Sequence, residues 1–387
     1  MIYSEINPKL GFYKVDNQIY YNKVAALMAT KGTNHHPTWH FNDEVFDSVD
    51  WTVNPEMSIN DLYYIRAKQL REKYDYLVLF YSGGADSTTV LKTFVNNNLH
   101  LDEVISSHPI SGLRQWENNN KDTDVSNTIS EGEFALKPQL SWLSRVSSKT
   151  KITFTDYFDE MIKIYQSDDW FIEAKEYLHP STIARYNKKN IPHIRKICES
   201  GKKIGFIFGI DKPRIAIIDN AYYSYFLDII ANISTWDLHE YSNASTEYFY
   251  WSPDVPLLTV KQCHLIIDWL KQETNYKFRS LLKWPPISNN ELSKLKAVYE
   301  RAVREPLYPD WDFSIFQAGK PTNCIWAEHD FWFFKNHRHT HIFDGWKAGI
   351  DHAKKLVPDQ WWQYDNKNIL SGFKGFISKM RYLAPVK

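Results

Sequence analysis

Tyr76–Tyr81 is an unbroken apolar run that ends on Ser82-Gly83-Gly84-Ala85-Asp86-Ser87 and passes directly into a helix-compatible stretch, Thr88–Asn96. A strand, a glycine turn and a helix start in immediate succession leave few architectures open, and the turn itself suits an anion. Paired glycines permit a tight bend and let backbone N–H groups approach a negative charge. Ser82, Ser87 and Thr88 add hydroxyl donors, and the helix start adds partial positive charge. Asp86 is the odd member, because a carboxylate beside phosphates is repulsive unless a cation separates them. Mg²⁺ meets that need, since it binds through one or two carboxylates together with substrate phosphates. The plainer alternative is a Gly-rich strand-to-helix turn with an Asp or Ser cap.

Further strand candidates are Glu103–Ser107, Ile152–Thr155 and Ile204–Ile210, separated by helical segments such as Ile129–Val146. Such alternation predicts an α/β chain with a parallel sheet and helices on its faces. Ligands of such sheets lie beyond the carboxyl ends of the strands, where the strand order reverses. Ser82–Ser87, Ser106–His108 and Asp211–Arg214 all fall at carboxyl ends. Residues 1–57 read as an N-terminal appendage, with a hairpin in Gly11–Tyr21 turning at Asp16-Asn17 and a short helix over Lys23–Ala29. Ser58 and Asp61 signal a helix cap for a segment reaching Lys73. Residues 58–256 form the nucleotide-binding unit in this reading, and 257–387 a mainly helical region with helices over Leu258–Leu270 and Leu292–Arg304.

The chain has 387 residues, 43% of them hydrophobic, so a substantial core is available. Its 46 basic and 46 acidic residues cancel, which gives no indication of a non-specific nucleic-acid binder. Cys198, Cys263 and Cys324 are isolated, without the spacing of a zinc site or disulfide framework. Met1–Glu5 lacks the basic and apolar regions of a signal peptide, and no stretch reaches the apolar length of a membrane span. The expectation is a cytoplasmic chain with no membrane partner. Self-association is compatible with all of this.

The hexapeptide resembles the pyrophosphate loop of the N-type ATP pyrophosphatases, the PP-loop or adenine nucleotide alpha hydrolase-like superfamily. Its SGGxDS pattern is matched at Ser82, Gly83, Gly84, Asp86 and Ser87. Neither a Walker A loop nor a GxGxxG fingerprint is present. The resemblance implies a Rossmann-like parallel sheet with flanking helices. It also implies cleavage of ATP between the α and β phosphates, with AMP joined to a carboxylate or carbonyl oxygen. Residues Ser82, Gly83, Gly84, Ala85, Ser87 and Thr88 would then hold phosphates, with Asp86 carrying Mg²⁺. Ser106, Ser107 and His108 would meet adenine or ribose through their backbone. Lys212 or Arg214 would stabilise charge at the α phosphate, alongside Asp86 as the catalytic set. The alternative for Asp211–Arg214 is a solvated reverse turn before the apolar run Ile215–Ile218.

Within that superfamily, paired catalytic cysteines, a four-cysteine zinc site and a cysteine at residue 2 are all missing here. Cys324 does not match the C-terminal motif of the sulfonucleotide reductases. What survives is an adenylating ligase acting on an unidentified acceptor and passing it to ammonia, an amine or another nucleophile. A non-catalytic ATP or AMP module in a protein or nucleic-acid complex is the rival, with a sulfonucleotide reductase-like protein as a further one. Relatives of this kind occur in bacteriophages, which would place such a chain in a host cytoplasm.

Other candidates have plainer readings. His337, His339 and His341 share one face if extended, with Asp330 or Asp344 as partners, yet a polar surface segment accounts for them. His35, His36 and His40 lie in a polar, Pro-containing stretch. Asp254, in Tyr248–Pro256, reads either as a metal or amine ligand or as part of a stiff junction. Phe331–Phe334 and Trp361-Trp362 read as core or as stacking surfaces.

Overall fold

The computed structural model describes residues 8–108, 111, 135–173, 178, 191–228, 241–286, 295, 298–300, 302–309, 311, 340–364 and 370–386. The N-terminal hairpin forms where its turn residues place it: β1 (Phe12–Val15) and β2 (Gln18–Tyr20) pair antiparallel across Asp16-Asn17. Asp16 takes φ +56°, a left-handed conformation that a short polar residue tolerates. Asn22 caps α1 (Lys23–Ala29) through its side chain. A strand that the sequence reading did not anticipate, β3 (Thr38–His40), joins the free edge of β1. It places His40 2.8 Å from Asp43 at the head of α2 (Asp43–Asp47). Ser58 and Asp61 form a full capping box at the start of α3 (Ile59–Lys73).

The alternating part of the chain then begins. β4 (Tyr76–Phe80) leads through the glycine turn into α4 (Ala85–Asn96), which starts three residues earlier than its apolar pattern suggests. β5 (Glu103–His108), α5 (Lys137–Val146), β6 (Lys151–Asp156), α6 (Phe158–Ile164) and α7 (Pro192–Glu199) follow. β7 (Ile204–Phe208) is buried at all five positions. The next two strands, β8 (Arg214–Ile218) and β9 (Ala221–Tyr225), make an antiparallel hairpin. After β10 (Ala244–Tyr248) come α8 (Pro256–Leu270), α9 (Arg304–Leu307) and α10 (His341–Leu356). Three further strands lie in the region read as helical: β11 (Trp362–Tyr364), β12 (Leu370–Phe373) and β13 (Arg381–Pro385). β13 pairs with β9, more than 150 residues upstream, so its partner is invisible to local periodicity.

The central sheet is five-stranded and parallel throughout, in the order β10-β7-β4-β5-β6, and helices flank it. This is a mixed α/β, Rossmann-like arrangement. The chain runs outward from β4 through β5 to β6, then returns to the other side of β4 with β7 and β10. The order therefore reverses between β4 and β7, which puts the switch point beside Ser82 and Gly209. Phe80 and Phe208, the last residues of these two strands, stack at 4.8 Å and 13°. Among the described residues, no helix is long and apolar enough to cross a membrane.

One large core joins the sheet to α3, α4 and α8, and includes Leu10, Tyr13 and Leu383 from the two ends of the chain. A second core joins α1, α6, α10, β11 and β12, with Trp361 and Trp362 buried in it as packing residues. Gly349 lets α10 approach that core, since a Cβ there would stand 2.0 Å from Trp170 Nε1. Cys198 and Cys263 are buried, and burial pushes the Cys263 thiol up to about 12, so it stays protonated.

Charged pins tie these layers together. Arg66 of α3 is 0% exposed and donates to Glu247 Oε2 at 2.8 Å and to the Tyr248 carbonyl at 2.9 Å. Lys73 adds a 2.6 Å bond to Glu247. Asp254 belongs to the same group, 2.8 Å from Lys9 and 3.6 Å from Arg66, which makes it a structural counter-ion of the junction. Burial works against the charged form of Glu247, but Arg66, Lys73 and the Tyr74 hydroxyl prevail and hold its carboxyl at about 2 instead of 4.5. Its folded value lies below the ordinary one, so this contribution is complete above 4.5 and fades as pH falls toward 2. Urea unfolding of the unmodified chain should lose about 3 kcal/mol more over that window than Glu247→Gln does.

Candidate functional site

The turn after β4 closes on itself. Gly83 adopts φ +83°, a conformation that glycine adopts without strain. It also passes close beneath the start of α5, where a Cβ would meet Leu136 N at 3.1 Å and Leu136 Cα at 3.2 Å. Ser82 N–H donates to Ser87 Oγ at 3.3 Å, Gly84 N–H donates to Ser82 Oγ at 3.3 Å, and the two serine oxygens lie 3.2 Å apart. Gly84 caps α4 without any side-chain hydrogen bond, so the first turn presents its N–H groups with no capping acceptor. Ser82, Gly84 and Asp86 are half-buried.

Gly209, one residue past β7, brings the second strand of the switch point against this helix start. A Cβ on it would stand 3.1 Å from Ser87 N and Cα and 3.2 Å from Asp86 C. Those atoms are backbone and cannot swing aside. Gly209→Val is expected to push the first turn of α4 outward and to cost about 1–3 kcal/mol in urea unfolding.

Asp86 is held from two directions. Tyr250 donates its hydroxyl to the Asp86 backbone carbonyl at 2.7 Å, and Tyr308 donates its hydroxyl to Asp86 Oδ1. Both rings are fully buried, with centroids 5.7 Å apart. Burial above all, reinforced by Asp86, raises both phenol pKa values well beyond the ordinary range, so each remains a donor. Neither tyrosine was anticipated. Tyr250 sits two residues past the carboxyl end of β10, a position that strand order could have flagged. Tyr308 lies 222 residues from Asp86 and carries no motif.

Lys212 and Arg214 come to the same end of the sheet, and neither is a free cation. Lys212 Nζ lies 3.0 Å from Glu300 Oε2 and 3.7 Å from Asp211 Oδ1. Arg214 lies 2.9 Å from Asp211 Oδ2 and 3.3 Å from Glu300 Oε1. Burial opposes every one of these charges, yet the pairing wins: Asp211 and Glu300 are held below the usual carboxylate range, and Lys212 and Arg214 above their ordinary values. Asp86 is a further contributor to the field at Lys212. The segment is thus no solvated turn: Asp211–Pro213 links β7 to β8, and Arg214 is the first residue of β8.

Several other candidates point their side chains elsewhere. Thr88 is 0% exposed, with Oγ1 2.9 Å from the Tyr81 hydroxyl and its N–H donating to the Gly84 carbonyl, so its side chain packs against Tyr81. Ser106 donates to the Tyr81 carbonyl at 2.8 Å, and Ser107 pairs with Thr155 at 2.6 Å. Both serines, with the His108 backbone, still line the carboxyl end of β5 next to β4. His341 is exposed at the start of α10, while His337, His339, Asp330, Cys324 and Phe331–Phe334 lie outside the described residues. A cavity of about 380 Å³ between α4 and α5, lined by Lys92, Asn96, Pro138, Gln139 and Trp142, contains no residue of the turn.

Among the described residues, no three His, Cys, Asp or Glu side chains gather as a metal-holding set. Asp86 alone does not fit a cation caged by protein, such as structural zinc. It fits one that completes its shell with phosphate and water oxygens, the habit of Mg²⁺. No protein-family model matches the chain, and no curated protein matches it either.

Proposed function

We propose that the chain is an ATP pyrophosphatase-type ligase of the PP-loop kind, which adenylates an acceptor carboxylate or carbonyl oxygen and releases pyrophosphate. The single observation that carries this reading is the coincidence of the SGGxDS turn with the switch point of the parallel sheet, between β4 and β7. A plain strand-to-helix turn has no reason to sit there with an uncapped helix start and a half-exposed carboxylate.

In this reading, N–H groups of Gly83, Gly84 and the first turn of α4 bind the β and γ phosphates. The long Ser82–Ser87 and Ser87–Gly84 contacts, 3.2 Å each, are weak enough for a phosphate oxygen to replace. Bound Mg²⁺ would supply charge neutralisation on the phosphates, with Asp86 as its protein ligand. The acceptor oxygen attacks the α phosphorus, the bond to the bridging oxygen breaks, and pyrophosphate leaves with the bonding electrons. Lys212 faces the growing charge as an ammonium whose field is already shared with Glu300 and Asp211, so positioning supplies more of the rate than its charge does. The backbone at Ser106–His108, at the carboxyl end of β5 beside β4, would meet the adenosine.

The pairing of Lys212 and Arg214 with Asp211 and Glu300 favours one rival. A nucleotide-binding module without turnover needs the turn and gains nothing from free cations beyond it. ATP labelled at the α phosphate, incubated with Mg²⁺, the full chain and a cell extract, separates the two. Labelled AMP with stoichiometric pyrophosphate is expected from the ligase, and intact ATP or ADP would defeat it.

A further inference from the structure

We infer that Tyr308 is a positioning residue for the cation ligand, selecting which oxygen of Asp86 is offered to a divalent metal and so making the C-terminal region part of the nucleotide site. The inference rests on the ATP reading above.

The geometry is specific. The Tyr308 hydroxyl bonds Asp86 Oδ1, and no hydrogen bond from any described residue falls on Oδ2. A carboxylate on a helix start has a broad, roughly two-fold χ2 preference, so one fixed oxygen restricts the other. The main chain below it is fixed as well, because Tyr250 holds the Asp86 carbonyl at 2.7 Å. Tyr308 itself cannot drift: its N–H donates to the Arg304 carbonyl at 2.8 Å, and Tyr63 donates to the carbonyl of the preceding Leu307 at 2.7 Å. The bond satisfies the buried hydroxyl and, at the same time, fixes the Asp86 carboxyl group in one orientation. A buried hydroxyl could have been satisfied by any backbone carbonyl, as those of Tyr63 and Tyr250 are.

The test uses the full chain and calorimetric titration of ATP, once with excess Mg²⁺ and once with EDTA. Tyr308→Phe keeps the ring and removes the hydroxyl. It is expected to weaken ATP binding about tenfold in Mg²⁺ and to leave binding in EDTA unchanged, since a bond to a charged group is what is lost. Tyr250→Phe, which touches only the main-chain carbonyl, should shift both conditions by the same factor. Tyr308→Met repeats the measurement should the phenylalanine variant fail to fold. Equal losses in Mg²⁺ and EDTA would assign Tyr308 to packing alone and overturn the inference. Unchanged or tighter binding in Mg²⁺ would overturn it too, the latter by making Tyr308 a competitor of the metal. If the unmodified chain binds no ATP under either condition, the nucleotide reading itself fails and takes this inference with it.

Discussion

Asp86→Asn is expected to lower pyrophosphate release from ATP on the order of a thousandfold while leaving the fold in place. The amide has nearly the shape of the carboxylate and still accepts from the Tyr308 hydroxyl, so the contact that fixes the side chain persists. What disappears is the negative charge that justifies a cation beside the phosphates. Asp86→Ala is the poorer probe, because it strands a fully buried tyrosine hydroxyl at a cost of about 1–3 kcal/mol. The two variants should therefore differ in urea midpoint yet agree in turnover. Release of pyrophosphate by Asp86→Asn within tenfold of the unmodified chain would remove Asp86 from the chemistry.

Arg66→Met is expected to cost about 3–5 kcal/mol of stability without touching the site. Arg66 spans from α3 to the end of β10, and it is the guanidinium at 2.8 Å that keeps Glu247 ionised in a buried place. Lys73 lies nearer the surface and cannot by itself replace it. Since the loss comes from an uncompensated buried charge, Arg66→Met combined with Glu247→Gln should recover much of it, a non-additivity that urea unfolding of the four species measures. Additive effects would mean that the two side chains act separately and that packing of the Arg66 stem dominates.

Much of the local structure was legible. The Ser58–Asp61 capping box, the Asp16-Asn17 turn, the apolar runs of β4 and β7 and the β-branched segments of β5 and β6 are written in short-range chemistry: cap geometry, left-handed tolerance and strand-forming side chains. The start of α4 was misread by three residues because its first turn is glycine, alanine and polar side chains, which carry no apolar period. β3 and β13 escaped for a different reason. Each owes its existence to a partner, β1 or β9, that supplies the hydrogen bonds. Asp254 was ambiguous by sequence because its cations, Lys9 and Arg66, lie far away along the chain.

The residues alone determined that a strand, a glycine turn and a helix follow one another at positions 76–96, since φ preference, hydrophobicity and capping act over a few residues. Tertiary structure alone decided what surrounds that turn. Strand order put Gly209 against the helix start, and the returning chain set Glu300 on Lys212 and Arg214 and Tyr308 on Asp86. Buried charges and hydroxyls must find partners wherever the packed layers bring them, and a linear pattern carries no record of which distant side chain will be there.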